Sequence, residues 1–230
     1  MSTPSSYAEA RAEDPGARPT DLLVRLAQPH WDAACGHRFT RELGADTLSA
    51  DVFARYAVQD HLFVTDLASV LGHLIARAPD MAAKHRFAAF AAMLTSEEND
   101  FFLRTFDQLG IDRAEAARTP VHEVTRGFAG LMLAAAERSY AQGLACLLCA
   151  EWCYLTWGVR EAAEARPRRP WAQEWIDLHA VPAFRSFVEG LRAEMDRTLD
   201  AATPEEQEAA ARAFRRMTEL EVEFFDAAYA

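Results

Sequence analysis

Three acidic side chains stand where helical geometry turns them away from water. Each residue of an α-helix rotates the chain by about 100°. Over 49–78, Phe53, Tyr56, Phe63, Val64, Leu67, Leu71 and Leu74 share one apolar stripe with Asp60 in its middle, while Asp51 and Asp66 fall outside it. Near the C-terminus, Phe214, Met217, Phe224, Phe225 and Ala228 make a second stripe that includes Glu221, whereas Glu219 and Glu223 face the other way. The third acid, Glu151, is the one side chain charged at neutral pH between Gly143 and Val159, inside the segment QGLACLLCAEWCYLTWGVR. A carboxylate is almost never fully buried without a partner. For any one position a satisfied buried acid is the ordinary explanation, but three on separate stripes point to a shared polar pocket. Two carboxylates in an apolar pocket can divide acid and base work, because burial and mutual repulsion raise one pKa while the other stays ionised.

The elements that must carry these acids are helices throughout, since no run alternates like a strand. The segment around Glu151 is apolar on every side, so other helices must surround it. The periodicity predicts helices over Thr20 to Cys35 and Ser49 to Ala78, the latter stopped by Pro79, with GHRFTRELGADTL as a loop between them. A third helix runs from Asp80 to Leu109, broken near Thr95 and Ser96, and a loop over 111–120 leads to one from His122 to Ser139. The central helix follows, then a turn at RPRRP and a helix from Pro170 to Asp200 with a kink at Pro182. Thr203, Pro204 and Glu206 fit the N-cap, first and third positions of the last helix, a capping-box arrangement. The expected fold is all-α, one bundle of about seven helices over 19–230. Residues 1–18, with two prolines and no apolar core, read as a disordered tail and not as a signal peptide.

Composition narrows the function classes. The chain has 230 residues, half of them apolar, and 24 Lys and Arg against 35 Asp and Glu give a net charge of -11. Phosphate-backbone binding depends on many cations, so nucleic acid is not an expected partner. The 17-residue apolar run around Glu151 is at the short limit for a membrane span and carries a carboxylate at its centre, which argues against the membrane. Cys146, Cys149 and Cys153 share one helix at spacings that rarely allow a disulfide, so with Cys35 they read as reduced thiols in a cytoplasmic protein. Cys146, Cys149, Cys153 and Trp157 form a packing stripe. No paired Cys or His spacing suggests zinc, and no Glu-x-x-His suggests a di-iron site. His61, next to Asp60, faces away from it. Glu97 and Glu98 read as a solvated pair.

The segment HRFTRELGADTLSADVFARYAVQDHLF, the central LLCAEWCYLTWG, the Trp175-Ile176-Asp177 stretch followed by Phe184, and ELEVEFFDAAY at the end resemble, in order, the motifs of the TenA/thiaminase II family. The resemblance spans roughly 37–229. It implies a haem-oxygenase-like helical bundle, commonly a homo-oligomer (dimer or tetramer), that needs no haem, metal or other cofactor. It places Asp60 on the aspartate that holds the aminopyrimidine, Tyr154 on the central-helix tyrosine and Glu221 on the acid/base glutamate. It also marks departures. Ala150 stands in the place of the family's nucleophilic cysteine, with Cys149 about 100° away around the helix. Phe63 replaces the second tyrosine of the Q-D-Y-L-Y motif, and His179 the tyrosine that follows W-I.

A branch of that family lacks the cysteine and hydrolyses aminopyrimidine or formylaminopyrimidine fragments of degraded thiamine, and this chain is similar to it. The expected activity is therefore C–N bond hydrolysis of a small pyrimidine in thiamine salvage. Glu221 would donate the proton, Glu151 position or activate water, Asp60 hold the amino edge, and Tyr154, Phe63 and His179 line the ring's site. The alternatives are a non-catalytic heterocycle binder of the same fold and a di-iron oxygenase-type relative.

Overall fold

The computed structural model describes residues 4–230. Among them every regular element is helical. Around the N-terminus α1 (Tyr7–Glu13), α2 (Pro19–Leu26), α3 (His30–Cys35) and α4 (Arg38–Gly44) are short; α5 (Ala50–Arg77) is the longest helix. Next come α6 (Met81–Met93), a π-helical turn (Leu94–Glu98), α7 (Asn99–Leu109), the single turn α8 (Arg113–Ala116) and α9 (Glu123–Arg138). The chain ends with α10 (Tyr140–Glu164), α11 (Pro170–Leu178), α12 (Pro182–Ala201) and α13 (Pro204–Ala227).

The punctuation residues act where their chemistry places them. Ser49, Asp80 and Ser139 cap α5, α6 and α10 by accepting from Val52, Ala83 and Gln142 N–H groups. Gly110 ends α7 in the left-handed conformation that glycine adopts without steric cost. Thr203 caps α13 by accepting from Glu206 N–H, as expected, with Pro204 in the first turn. The side chain of Glu206 does not return to that cap. It accepts instead from Ser139 Oγ and from Gln142 Nε2, fastening the start of α13 to the start of α10.

The helix α10 lies at the centre, against α13, α9, α12, α11 and α3, and α5 packs on α9, α6 and α7. Its segment from Ala141 to Glu151 is buried on every side, which is what its unbroken apolar sequence requires. A single core runs from Tyr7 in α1 to Ala228 beyond α13.

Four sequence expectations are corrected. The tail expected over 1–18 carries α1, because Tyr7 and Ala10 bury their side chains and Tyr7 N–H donates to Glu208 of α13; residues 1–3 of that expected tail lie outside the described residues. The first expected helix divides at Ala27–Pro29, where proline at 29 has no N–H to continue the ladder. The expected loop before α5 contains α4, held by Phe39, Thr40 and Leu43 facing the core. The expected kink at Pro182 is a full break, His179–Val181, between α11 and α12.

Candidate active site

The three inward acids come together. A narrow cavity of about 40 Å³ lies in the bundle, walled by Phe63, Val64, Leu67, Phe90, Phe128, Trp175 and Phe224 and floored by Ala150. Asp60 from α5, Glu151 from α10 and Glu221 from α13 all line it, with Tyr154 and His179. Every residue that the sequence singled out for this site is on its wall. Ala150 lines the cavity, and the neighbouring Cys149 is turned elsewhere. Thr218 Oγ donates to the Phe214 carbonyl at 2.9 Å, so the Cys149 thiol, 3.1 Å from that hydroxyl, is the donor to it. The thiol is thus spent on the α10–α13 contact, and burial, the largest cause, raises its pKa well above the ordinary value.

A fourth acid completes the lining. Glu98, at the end of the π turn, faces the same cavity. The pair Glu97 and Glu98 is therefore split, with Glu97 exposed and Glu98 inward. A π turn leaves carbonyls without their usual helical partners. Here Thr95 and Ser96 hydroxyls donate back to the Ala91 and Ala92 carbonyls at 2.7 and 2.6 Å and so stabilise the turn that presents Glu98. Counting in fours from Leu94 or back from Phe102 meets Glu98, which was the available sequence signal; the expected break at Thr95 and Ser96 interrupted that count.

The electrostatics follow from four acids in an apolar enclosure. Burial pushes Asp60 up to about 7, with the Tyr56 hydroxyl pulling partly the other way. Burial, reinforced by the charge of Asp60, pushes Glu98 up to about 8. Glu151 and Glu221 rise well above the carboxylate range, burial being the larger cause and the neighbouring acids the smaller. Both oxygens of Glu221 are buried without a hydrogen-bond partner in the protein. A carboxylate left so would be very costly, so this group holds its proton. Tyr154 donates to or accepts from Tyr56 across 2.7 Å, and both hydroxyls are pushed up by burial. His179 is tied through Nδ1 to the Trp175 carbonyl at 2.8 Å, and burial lowers its pKa to about 4, leaving the ring neutral. Among the described residues no group of three or more His, Cys, Asp and Glu is arranged to hold a metal ion, and no helix is long and apolar enough to cross a membrane.

The sequence profile described as the TENA/THI-4/PQQC family matches residues 25–230. The chain belongs to that family. Its relatives include the aminopyrimidine aminohydrolase of Halalkalibacterium halodurans, 26% identical over 209 residues that make up 90% of this chain and 93% of that one. A thiamine biosynthesis multifunctional protein ThiED of Corynebacterium efficiens is 29% identical over 83% of this chain but only 25% of its own length. Among solved structures, a TenA homologue from Pyrococcus furiosus superposes with a TM-score of 0.84 at 23% identity, covering 92% of this chain and all of that one. A Shewanella denitrificans domain described as having a haem oxygenase-like fold superposes with a TM-score of 0.71 at 12% identity, covering 91% of each chain. This TENA/THI-4/PQQC member therefore has the haem-oxygenase-like helical fold, and its acids sit at the centre of it.

Proposed function

We propose that this chain hydrolyses the C–N bond of a thiamine-derived aminopyrimidine in thiamine salvage, without a cysteine nucleophile. The observation that carries the reading is the meeting of Asp60, Glu98, Glu151 and Glu221 in one small aromatic-walled cavity. The resemblance of the chain to an aminopyrimidine aminohydrolase over nearly its whole length supports the same substrate class.

The chemistry needs a proton for the leaving nitrogen and an activated water. Glu221, buried, unpartnered and protonated, is the donor. Asp60, the acid nearest ionisation at neutral pH, accepts from the amino group of the heterocycle. Glu151 keeps its proton because burial, and to a smaller extent the charges of Glu98 and Asp60, oppose its ionisation, so it positions the water and does not deprotonate it. The base is the ionised form of Glu98, whose pKa near 8 leaves a minor ionised fraction at neutral pH that grows as pH rises and takes up a proton readily. For an aminomethyl substrate the methylene C–N bond breaks and a C–O bond to water forms. The nitrogen leaves as ammonia with the Glu221 proton, and the proton of water passes to Glu98. For a formylaminomethyl substrate the same groups would serve at the formyl carbon, releasing formate. Tyr154, Phe63, Trp175 and Phe224 supply the faces against which the ring lies. The reading includes a homo-oligomer in the cytoplasm, where four free buried thiols suit a reducing compartment.

The test is release of ammonia from 4-amino-5-aminomethyl-2-methylpyrimidine, with formate release from its N-formyl derivative measured in parallel. Wild type is expected to turn over one of the two and Glu221→Gln neither, with the variant's thermal unfolding intact. A second reading, a non-catalytic heterocycle binder, draws on Ala150 and the diverted Cys149. Calorimetric binding without turnover of either compound would establish it and end the hydrolase proposal.

A further inference from the structure

His179 is fixed in one tautomer by its surroundings. A carbonyl oxygen only accepts, so the 2.8 Å contact between Nδ1 and the Trp175 carbonyl places the ring proton on Nδ1. In a neutral imidazole the other nitrogen then carries a lone pair and no hydrogen. Nε2 makes no hydrogen bond to the protein among the described residues, and the ring lines the acid cavity. Packing holds it there: Trp175, Tyr154, Trp157 and Phe184 surround the ring at centroid distances of 4.4, 4.9, 5.2 and 5.3 Å. The backbone is equally constrained. A Cβ on Gly158 of α10 would lie 2.7 Å from both the Cβ and the carbonyl oxygen of His179, so only glycine lets the α11–α12 turn come this close.

The other polar side chains lining the cavity are four acids, a phenol and the Trp175 indole with its unpartnered N–H, all of which hold hydrogens at neutral pH or take one up readily. His179 is the opposite kind of group. We infer that His179 is a specificity-determining residue whose Nε2 accepts a hydrogen bond from the ligand, so that the site selects a pyrimidine bearing an N–H or O–H donor on its C5 side arm. This rests on the aminopyrimidine reading above. A 4-amino-2-methylpyrimidine has only two sources of donors, the amino group and the arm, because its ring nitrogens accept. Asp60 takes one amino N–H, and of the donors left, the second amino N–H and the arm, only the arm differs between pyrimidines and so can set a preference at His179. Gly158 is the positioning residue that seats it.

Calorimetry with two uncharged ligands tests this, 4-amino-5-hydroxymethyl-2-methylpyrimidine and its methyl ether, which keeps the arm oxygen and lacks its hydrogen. Wild type should bind the alcohol about tenfold or more tighter, the effect of one neutral hydrogen bond lost from a buried acceptor. His179→Phe, which keeps a ring of similar size and removes the acceptor, should bind the two alike. His179→Tyr, whose hydroxyl can donate, should also accept the ether. Gly158→Ala should lose the preference through weaker binding of the alcohol, with ether binding unchanged. Equal binding of the two ligands by wild type overturns the inference and leaves the aminopyrimidine reading standing. A preference that persists in His179→Phe shows the ether is excluded by size, and overturns it too. If wild type binds neither ligand, the aminopyrimidine reading fails and this inference with it.

Discussion

Glu194 and Glu221 are two glutamates on the successive helices α12 and α13, equally sealed from solvent at 2% and 0% exposure, and they differ in everything else. Glu194 accepts from the Tyr140 hydroxyl at 3.1 Å, lies 3.6 Å from Arg86 Nη1 and pairs with Arg197. Its charge is answered on every side, and it serves the packing of α6, α10 and α12. Glu221 has no partner for either oxygen, and the charged groups nearest to it are other acids. A buried acid with cations around it is architecture. One surrounded by aromatic rings and like charges exists at a cost to the fold, and such groups concentrate where proton transfer is needed.

Neutralising each in turn separates the two roles. Glu221→Gln should lower kcat by roughly 10²–10⁴, the range for a lost general acid, while its melting temperature stays level or rises. Glu194→Gln should do the reverse, costing about 1–2 kcal/mol of stability by leaving the partly solvated Arg86 and Arg197 without their buried anion, with kcat in the surviving folded fraction preserved. Chemical denaturation and initial rates on the same samples check both. If Glu221→Gln destabilises as much as Glu194→Gln, Glu221 belongs with the architecture after all.

The pH dependence of stability sharpens the contrast. Asp60 has a folded pKa near 7 against an ordinary aspartate value near 4 when unfolded. Between these the unfolded chain has lost the proton and the folded one keeps it, so the folded state is progressively disfavoured as pH rises, and the loss levels off above 7. Denaturation midpoints should fall from pH 4 to pH 8, and Asp60→Asn should remove about 1–3 kcal/mol of that fall, gaining at pH 8 and nothing at pH 4. A wild-type stability that climbs over this interval would mean the cavity acids are paired like Glu194.

Smaller effects are expected at Glu98 and Ala150. Replacing Glu98 by Gln should slow turnover and remove the limb of the pH–rate profile that rises toward pH 8, leaving ligand binding within about threefold. Ala150→Cys should create a thiol that the aminopyrimidine protects from a small alkylating agent. Native Cys149, buried and donating to Thr218, should resist the same reagent with or without ligand.

Much of this contrast was legible in the sequence because helices impose a simple rule on position. Asp60 and Glu221 interrupt clean stripes on uninterrupted helices, so a rotation of about 100° per residue carries from one end of each to the other. Glu151 needed no counting, since the whole face of α10 around it is apolar. Glu98 was hidden because a π turn resets the count four residues before it, and whether the helix continues through Thr95 and Ser96 depends on the hydroxyl-to-carbonyl bonds that stabilise the irregularity. The N-terminal helix was missed for a different reason. Its seven residues are too few to fold alone, and what holds Tyr7 is the surface of α13, some two hundred positions later in the chain.

The contact of Glu206 with Ser139 and Gln142 makes α10 and α13 a pair of rulers read from a common zero. From that mark Glu151 stands twelve residues along one and Glu221 fifteen along the other, roughly 18 and 22 Å at 1.5 Å per residue. A single residue inserted anywhere between the mark and either acid would swing that carboxyl about a third of a turn, into the packing of the next helix. The lengths of these two stretches are thus as much a part of the cavity as the acids at their ends.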